Sequence, residues 1–135
     1  MTNTSHTKKV LVLEEVEDDV SLHNILHKKF VNEGFSVLGA RDGEEGLAIA
    51  LQEHPDLIVL DIVMPKMDGI TMMKKIRRAN EWGKQVPIIL LTNLSADNET
   101  LTRVITENKP VYHLVKSDWT LDDLVKKIRE WAPHP

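Results

Sequence analysis

Pro55-Asp-Leu-Ile-Val-Leu-Asp61-Ile-Val-Met-Pro65-Lys-Met-Asp-Gly69 is the stretch around which the chain is organised. Residues 57–60 form an unbroken apolar run that ends on one acid, Asp61. A short apolar run between polar and turn residues is the pattern of a strand buried on both faces of a parallel sheet. Pro65 and Gly69 mark a turn rather than further strand. Asp61 therefore falls at the carboxyl end of a central strand, the edge at which open α/β sheets bind ligands.

Outward from that stretch, the pattern repeats. Residues 10–13 are a first apolar run, followed by the acids Glu14, Glu15, Glu17, Asp18 and Asp19. Leu22, Ile25, Leu26 and Phe30 then recur at helical spacing up to Gly34, a C-terminal stop; Asp18 or Asp19 suits its N-cap. Residues 35–38 read as a second strand, Arg41-Asp42-Gly43 as a turn, and 44–52 as a second helix with Leu47, Ala48 and Leu51 inward. Pro55 cannot continue that helix. A third helix spans about 70–79, with Ile70, Met73 and Ile76 inward and Lys74, Lys75, Arg77 and Arg78 largely outward. Residues 80–85 read as a loop containing Gly83, and 86–91 as a fourth strand ending at Thr92. A fourth helix over 97–107 is Thr-rich and poor in apolar residues; Asn108-Lys109-Pro110 ends it. Residues 111–115 make a fifth strand ending at Lys116. A fifth helix, 121–131, carries Leu121, Leu124, Val125, Ile128 and Trp131 on one face. Five strands alternating with five helices predict an α/β fold, a doubly wound parallel sheet covered on both faces.

The 135 residues suit one domain, with 28% charged and 41% hydrophobic residues as in a soluble globular chain. A net charge of -4 argues against a nucleic-acid or membrane-surface binder. The absence of cysteine excludes a disulfide framework and fits a reducing cytoplasm. No apolar run approaches the roughly 20 residues of a membrane helix. Residues 1–7 read as a polar tail, 8–131 as the domain, and 132–135 as a tail or the start of a linker.

Polar groups gather at the strand ends: acids after the first strand, Asp61 after the third, Thr92 after the fourth, Lys116 after the fifth. Clustered carboxylates repel unless a cation joins them. Mg²⁺ takes one or two carboxylates together with water and phosphate oxygens. A lysine and a hydroxyl suit the oxygens of a transferred phosphoryl group, with Asp61 as nucleophile. Any one of these residues alone would read as a surface charge or a turn residue; their common edge points to phosphoryl chemistry.

Over residues 8–131 the chain resembles the receiver domain of two-component response regulators, of the chemotaxis-regulator type. The matching stretches are Asp61-Ile-Val-Met-Pro-Lys-Met-Asp-Gly69, Ala40-Arg-Asp-Gly-Glu-Glu-Gly46, Val86-Pro-Ile-Ile-Leu-Leu-Thr92 and Leu114-Val-Lys116. The resemblance implies a flavodoxin-like sheet of order 2-1-3-4-5 and a cytoplasmic signalling phosphoprotein rather than an enzyme. Asp61 would accept a phosphoryl group from a sensor histidine kinase or phosphotransfer protein, with Thr92 as switch hydroxyl, Lys116 as phosphate-binding lysine and the main-chain carbonyl of Val63 as a Mg²⁺ ligand. An output protein or domain would dock on the face made by the fourth helix, fifth strand and fifth helix; a homodimer is compatible with the family. Neither nucleic acid nor membrane is expected to touch this chain directly.

The sequence departs from the family in three places. Glu17-Asp18-Asp19 has the family's spacing to the first helix, but Glu14-Glu15 directly follows the strand. Taking 14 and 15 as strand would bury unpaired carboxylates at several kcal/mol each. An insertion between strand and helix accommodates both observations. Glu14 and Glu15 then take the acidic-pair position, Glu15 nearer the metal, with Asp18 the alternative ligand. The aromatic switch position is His113, beside Tyr112, and Ser117 replaces the proline expected after Lys116. His113 could add pH sensitivity or be an ordinary strand residue.

These departures motivate an alternative, a pseudo-receiver acting as an interaction module without phosphorylation. An aspartyl-phosphate phosphatase similar to haloacid dehalogenases would need an acid where Val63 stands. His23 and His27 read as a solvated helix face, Trp82, Trp119 and Trp131 as packing or partner-surface residues, and Met64, Met67, Met72 and Met73 as filling.

Overall fold

The computed structural model of the protein describes residues 8–13, 21–40, 42–61, 69–92, 99–115 and 120–131. Five strands alternate with helices: β1 (Lys9–Leu13), β2 (Ser36–Ala40), β3 (Leu57–Asp61), β4 (Ile88–Thr92) and β5 (Val111–Val115). They form one parallel sheet of order β2-β1-β3-β4-β5. The helices are α1 (Ser21–Asn32), α2 (Gly43–Glu53), α3 (Gly69–Ala79), α4 (Glu81–Gln85), α5 (Glu99–Glu107) and α6 (Leu121–Trp131). The flavodoxin-like expectation holds. The described helices number six rather than five, because residues 81–85 form a short helix where a loop was expected. Asn80 caps it, its side chain accepting from the Gly83 amide at 2.7 Å.

The apolar runs hide an alternation that composition does not reveal. Successive strand side chains point to opposite faces. Leu11, Ile58, Leu60, Ile88 and Leu90 therefore pack with Ala50, Met72, Met73, Ile76, Leu101 and Val104 on the face covered by α2, α3 and α5. Val10, Val12, Leu57, Val59, Ile89 and Leu91 pack with Leu26, Phe30, Leu124, Val125 and Ile128 beneath α1 and α6. Leu101 and Val104 give the Thr-rich α5 a buried stripe despite its polar composition.

Two helix faces differ from the periodicity reading. On α2 the buried residues are Gly43, Gly46 and Ala50, while Leu51 is 37% exposed and Ala48 is exposed. The small residues let the α2 backbone approach its neighbours closely, while Leu47, partly buried, packs against the same core as expected. On α1, Leu26 and Phe30 are fully buried but Ile25 is 46% exposed.

Helix ends follow the chemistry of their residues. Gly34, at φ 95°, lets the Phe35 amide reach back to the Phe30 carbonyl at 3.0 Å, ending α1. His54 takes the same role on α2 at φ 46°, its amide donating to Ala50. No helix among the described residues is long and apolar enough to cross a membrane.

Candidate functional site

Leu57, Ile58, Val59 and Leu60 are fully buried, and Asp61 is the last residue of β3. Register sets its neighbours. Leu13 pairs with Leu60, so the chain leaves β1 one step short of the level of Asp61. On the other side Asp61 pairs with Leu91, and Thr92 pairs with Val115. The ends of β1, β3, β4 and β5 thus lie on one edge, with Asp61 and Thr92 on adjacent central strands. Glu14 and Lys116 follow the last described residues of β1 and β5 in sequence.

Glu14, Glu15, Asp18, Val63, Lys116 and Ser117 lie outside the described residues, and Asp61, Thr92 and His113 are described as strand positions. The expected donors to a metal at this edge are all oxygens: the Asp61 carboxylate, acids following β1 and a main-chain carbonyl. Such a set fits a hard cation of the Mg²⁺ type. Among the described residues, no group of three or more His, Asp or Glu side chains gathers closely enough to hold a metal ion.

The same edge carries the start of α2. The Asp42 carboxylate accepts from the Glu45 amide at 2.9 Å, capping α2 within the stretch 40–46 that carries part of the family resemblance. On β5, His113 is in register with Leu90, and Tyr112 with Ile89. Tyr112 is half-buried beneath α6, where the Lys127 ammonium sits 4.1 Å from its ring centroid. Lys127 also pairs with Glu130 at 3.0 Å; that hydrogen bond, ahead of desolvation, sets the direction in which its pKa moves, which is upward.

Away from this edge, the structure corrects the reading of Arg77 as a solvent-facing residue. Arg77 is half-buried, and its guanidinium donates to three carbonyls: Nε to Asn108 at 2.8 Å, Nη1 to Gly83 at 2.8 Å and Nη2 to Pro110 at 3.0 Å. Burial lowers its pKa to about 10, and the three acceptors compensate the charge it still carries at neutral pH. The helical spacing held a signal for this. Residue 77 lies one turn after Met73 and beside Ile76 on the buried stripe of α3. Trp82, read from sequence as a packing or partner-surface residue, donates its indole N–H to the Pro55 carbonyl at 3.0 Å.

Comparison with known proteins gives this edge a context. The model of the response regulator receiver domain matches residues 13–129. A probable transcriptional regulator, ycf27 of Porphyridium aerugineum, is 40% identical over 95 residues, covering 70% of this chain and 37% of the relative. The chain thus spans little more than a third of the length of that curated relative. Chemotaxis protein CheY4 of Vibrio cholerae superposes with a TM-score of 0.79 at 26% identity, covering 93% of this chain and 99% of CheY4. The CheX–CheY complex of Borrelia burgdorferi with BeF3 and magnesium includes a chain matching at TM-score 0.73 and 28% identity, over 91% of this chain and 87% of that one. With a sheet of this order and a family match across nearly its whole length, the chain belongs to the response regulator receiver domains of two-component systems.

Proposed function

We propose that this chain is a phosphoacceptor switch in which Asp61 takes a phosphoryl group from a sensor histidine kinase or phosphotransfer protein. The observation that carries the reading is the register that pairs Asp61 with Leu91, one residue before Thr92, on the edge where β1 and β5 also end. One carboxylate oxygen of Asp61 attacks phosphorus, the P–N bond of the phosphohistidine donor breaks, and its electron pair returns to the donor imidazole. Lys116 balances charge on the phosphoryl oxygens, and the Thr92 hydroxyl donates to one of them. Asp61, Glu14 and Glu15, with the Val63 carbonyl, would hold Mg²⁺, Asp18 being the alternative ligand. Mg²⁺ held there would supply neutralisation of charge on the phosphoryl oxygens.

The domain spans residues 8–131 in this reading and works in the cytoplasm. It performs transfer onto itself rather than turnover of a substrate. The charged state biases Thr92 and His113 and, through them, the face made by α5, β5 and α6, where an output protein or domain docks. Names of relatives as transcriptional regulators support an output in gene control. DNA contact would then belong to that output, since the chain itself is net acidic.

The test is intact-mass measurement after incubation with acetyl phosphate and Mg²⁺. Wild type should gain one phosphoryl mass and Asp61→Asn none. A gain that persists in Asp61→Asn sinks the assignment. No gain in wild type, together with no Mg²⁺ binding at millimolar concentration, favours the phosphate-independent interaction module.

A further inference from the structure

Arg77 ties three segments that meet nowhere in sequence. Gly83 lies in α4, Asn108 directly follows α5, and Pro110 directly precedes β5. Helix carboxyl ends leave carbonyls without helical partners and favour a cation, and the guanidinium fork supplies both charge and donors. The Pro110 carbonyl also accepts from the Ile88 amide at 3.2 Å, so the fork reaches the first residue of β4 through one shared acceptor. Asn108 is buried and its amide donates to the Val104 carbonyl at 2.7 Å, closing the end of α5 from inside. All of this lies at the amino edge of the sheet. The other end of α5, Glu99, lies toward the carboxyl edge, where β4 ends at Thr92.

We propose that Arg77 is a positioning residue that pins the carboxyl end of α5 and the start of β5 to α3. The amino end of α5, at the phosphoacceptor edge, is left as the end that moves. The carbonyls that Arg77 holds lie at the opposite edge of the sheet from the end of β3. It sets where α5 pivots, so a change at Thr92 tilts this helix about a fixed foot instead of sliding it whole. The part played by Thr92 rests on the function proposed above; the pinning does not.

Amide hydrogen exchange on the full chain without phosphodonor tests it. In wild type the amides of Asn108, Tyr112 and Ile88 should exchange more slowly than those of Leu101 and Thr102. Arg77→Met keeps the apolar stem and removes the fork. It should speed exchange at Asn108, Tyr112 and Ile88 about tenfold, leave Val10, Leu11 and Val12 unchanged, and flatten the gradient along α5; tenfold corresponds to about 1.4 kcal/mol, near the net worth of one to two hydrogen bonds. Arg77→Lys, with fewer donors, should give a smaller increase at the same amides. A folded Arg77→Met with wild-type exchange at those three amides overturns the proposal. So does a uniform increase across the sheet, which would mean general destabilisation. If Arg77→Met does not fold, Arg77→Lys decides by the same pattern. After acetyl phosphate and Mg²⁺, the change in wild type should stay within residues 99–103 and spread to 104–111 in the variant. If wild type gains no phosphoryl mass, the proposed function fails while the exchange gradient still judges the pin.

Discussion

The indole of Trp82 lies flat on the imidazole of His54, with ring centroids 4.7 Å apart and planes within 7°. His54 is the only non-glycine residue at positive φ among the described residues, and it ends α2 where glycine is the usual choice. The stack holds that turn against α4, and both residues line a cavity of about 190 Å³ with Pro55, Asp56 and Gln85.

Removing the indole should therefore cost more than its partial exposure suggests. Trp82→Ala is expected to lower stability by about 2–3 kcal/mol, below the range for a fully buried aromatic. Trp82→Phe keeps a stacking ring and loses the hydrogen bond to Pro55, for about 1 kcal/mol. Urea unfolding with an unchanged m-value measures both.

Two glycines should respond differently to alanine. A Cβ on Gly83 would stand 2.0 Å from the Ile76 carbonyl oxygen, a backbone atom that cannot move without shifting α3. Gly83→Ala should cost at least about 2 kcal/mol, as for overpacking. A Cβ on Gly34 meets nothing within 4 Å, so Gly34→Ala should cost only the strain of its φ of 95°, about 1 kcal/mol. Thermal melts that rank the two the other way would contradict the α3–α4 contact.

The inner face of α2 is testable by size and polarity. Ala50 is fully buried, whereas Leu51 is 37% exposed. Ala50→Leu should destabilise by about 1–3 kcal/mol, and Leu51→Gln should stay within about 0.5 kcal/mol. Chemical denaturation of the two variants separates this face from the one that leucine content predicts.

At the start of α6, Thr120 and Asp123 cap each other's amides, at 3.0 Å from Thr120 N to Asp123 Oδ2 and 3.1 Å from Asp123 N to Thr120 Oγ1. Thr120→Ala should cost about 1 kcal/mol. The backbone hydrogen bond from Thr120, then the hydroxyl bond, holds the Asp123 carboxyl below its ordinary 3.8. A lowered folded-state pKa gives stability that is present above pH 3.8 and lost as pH falls through the lower folded value. Asp123→Asn should therefore flatten the acid limb of the stability profile below about pH 4 and leave the neutral-to-alkaline limb unchanged, read from melting temperatures across pH.

The strands were legible because each is an apolar run with a polar stop, and parallel pairing followed from the alternation with helices. The same logic put Asp61 and Thr92 at strand ends. It failed where burial depends on distant groups. The carbonyls that receive Arg77 belong to residues 6, 31 and 33 positions away, and a cationic run gives no hint of them. On α2 it placed Leu47 correctly but Ala48 and Leu51 wrongly, because Gly43, Gly46 and Ala50 carry little hydrophobic signal. The five-residue α4 is too short to show a period, and only the capping Asn80 announced it. The acids between Glu14 and Asp19 gave two readings, since strand length favours Glu14 and Glu15 as the pair while helix spacing favours Asp18.

β1 has two neighbours in the sheet, and they are made at different times. β2 follows within a few dozen residues, but Val10 pairs with Leu57, 47 positions later. On a growing chain β1 therefore presents one open edge until β3 has emerged, and such edges invite wrong partners. The segment that closes that edge ends in Asp61. The same five residues that deliver the acid to its place also complete the bonding of β1. A substitution within residues 57–60 would thus be felt first in the yield of correctly folded chain, before any chemistry is measured.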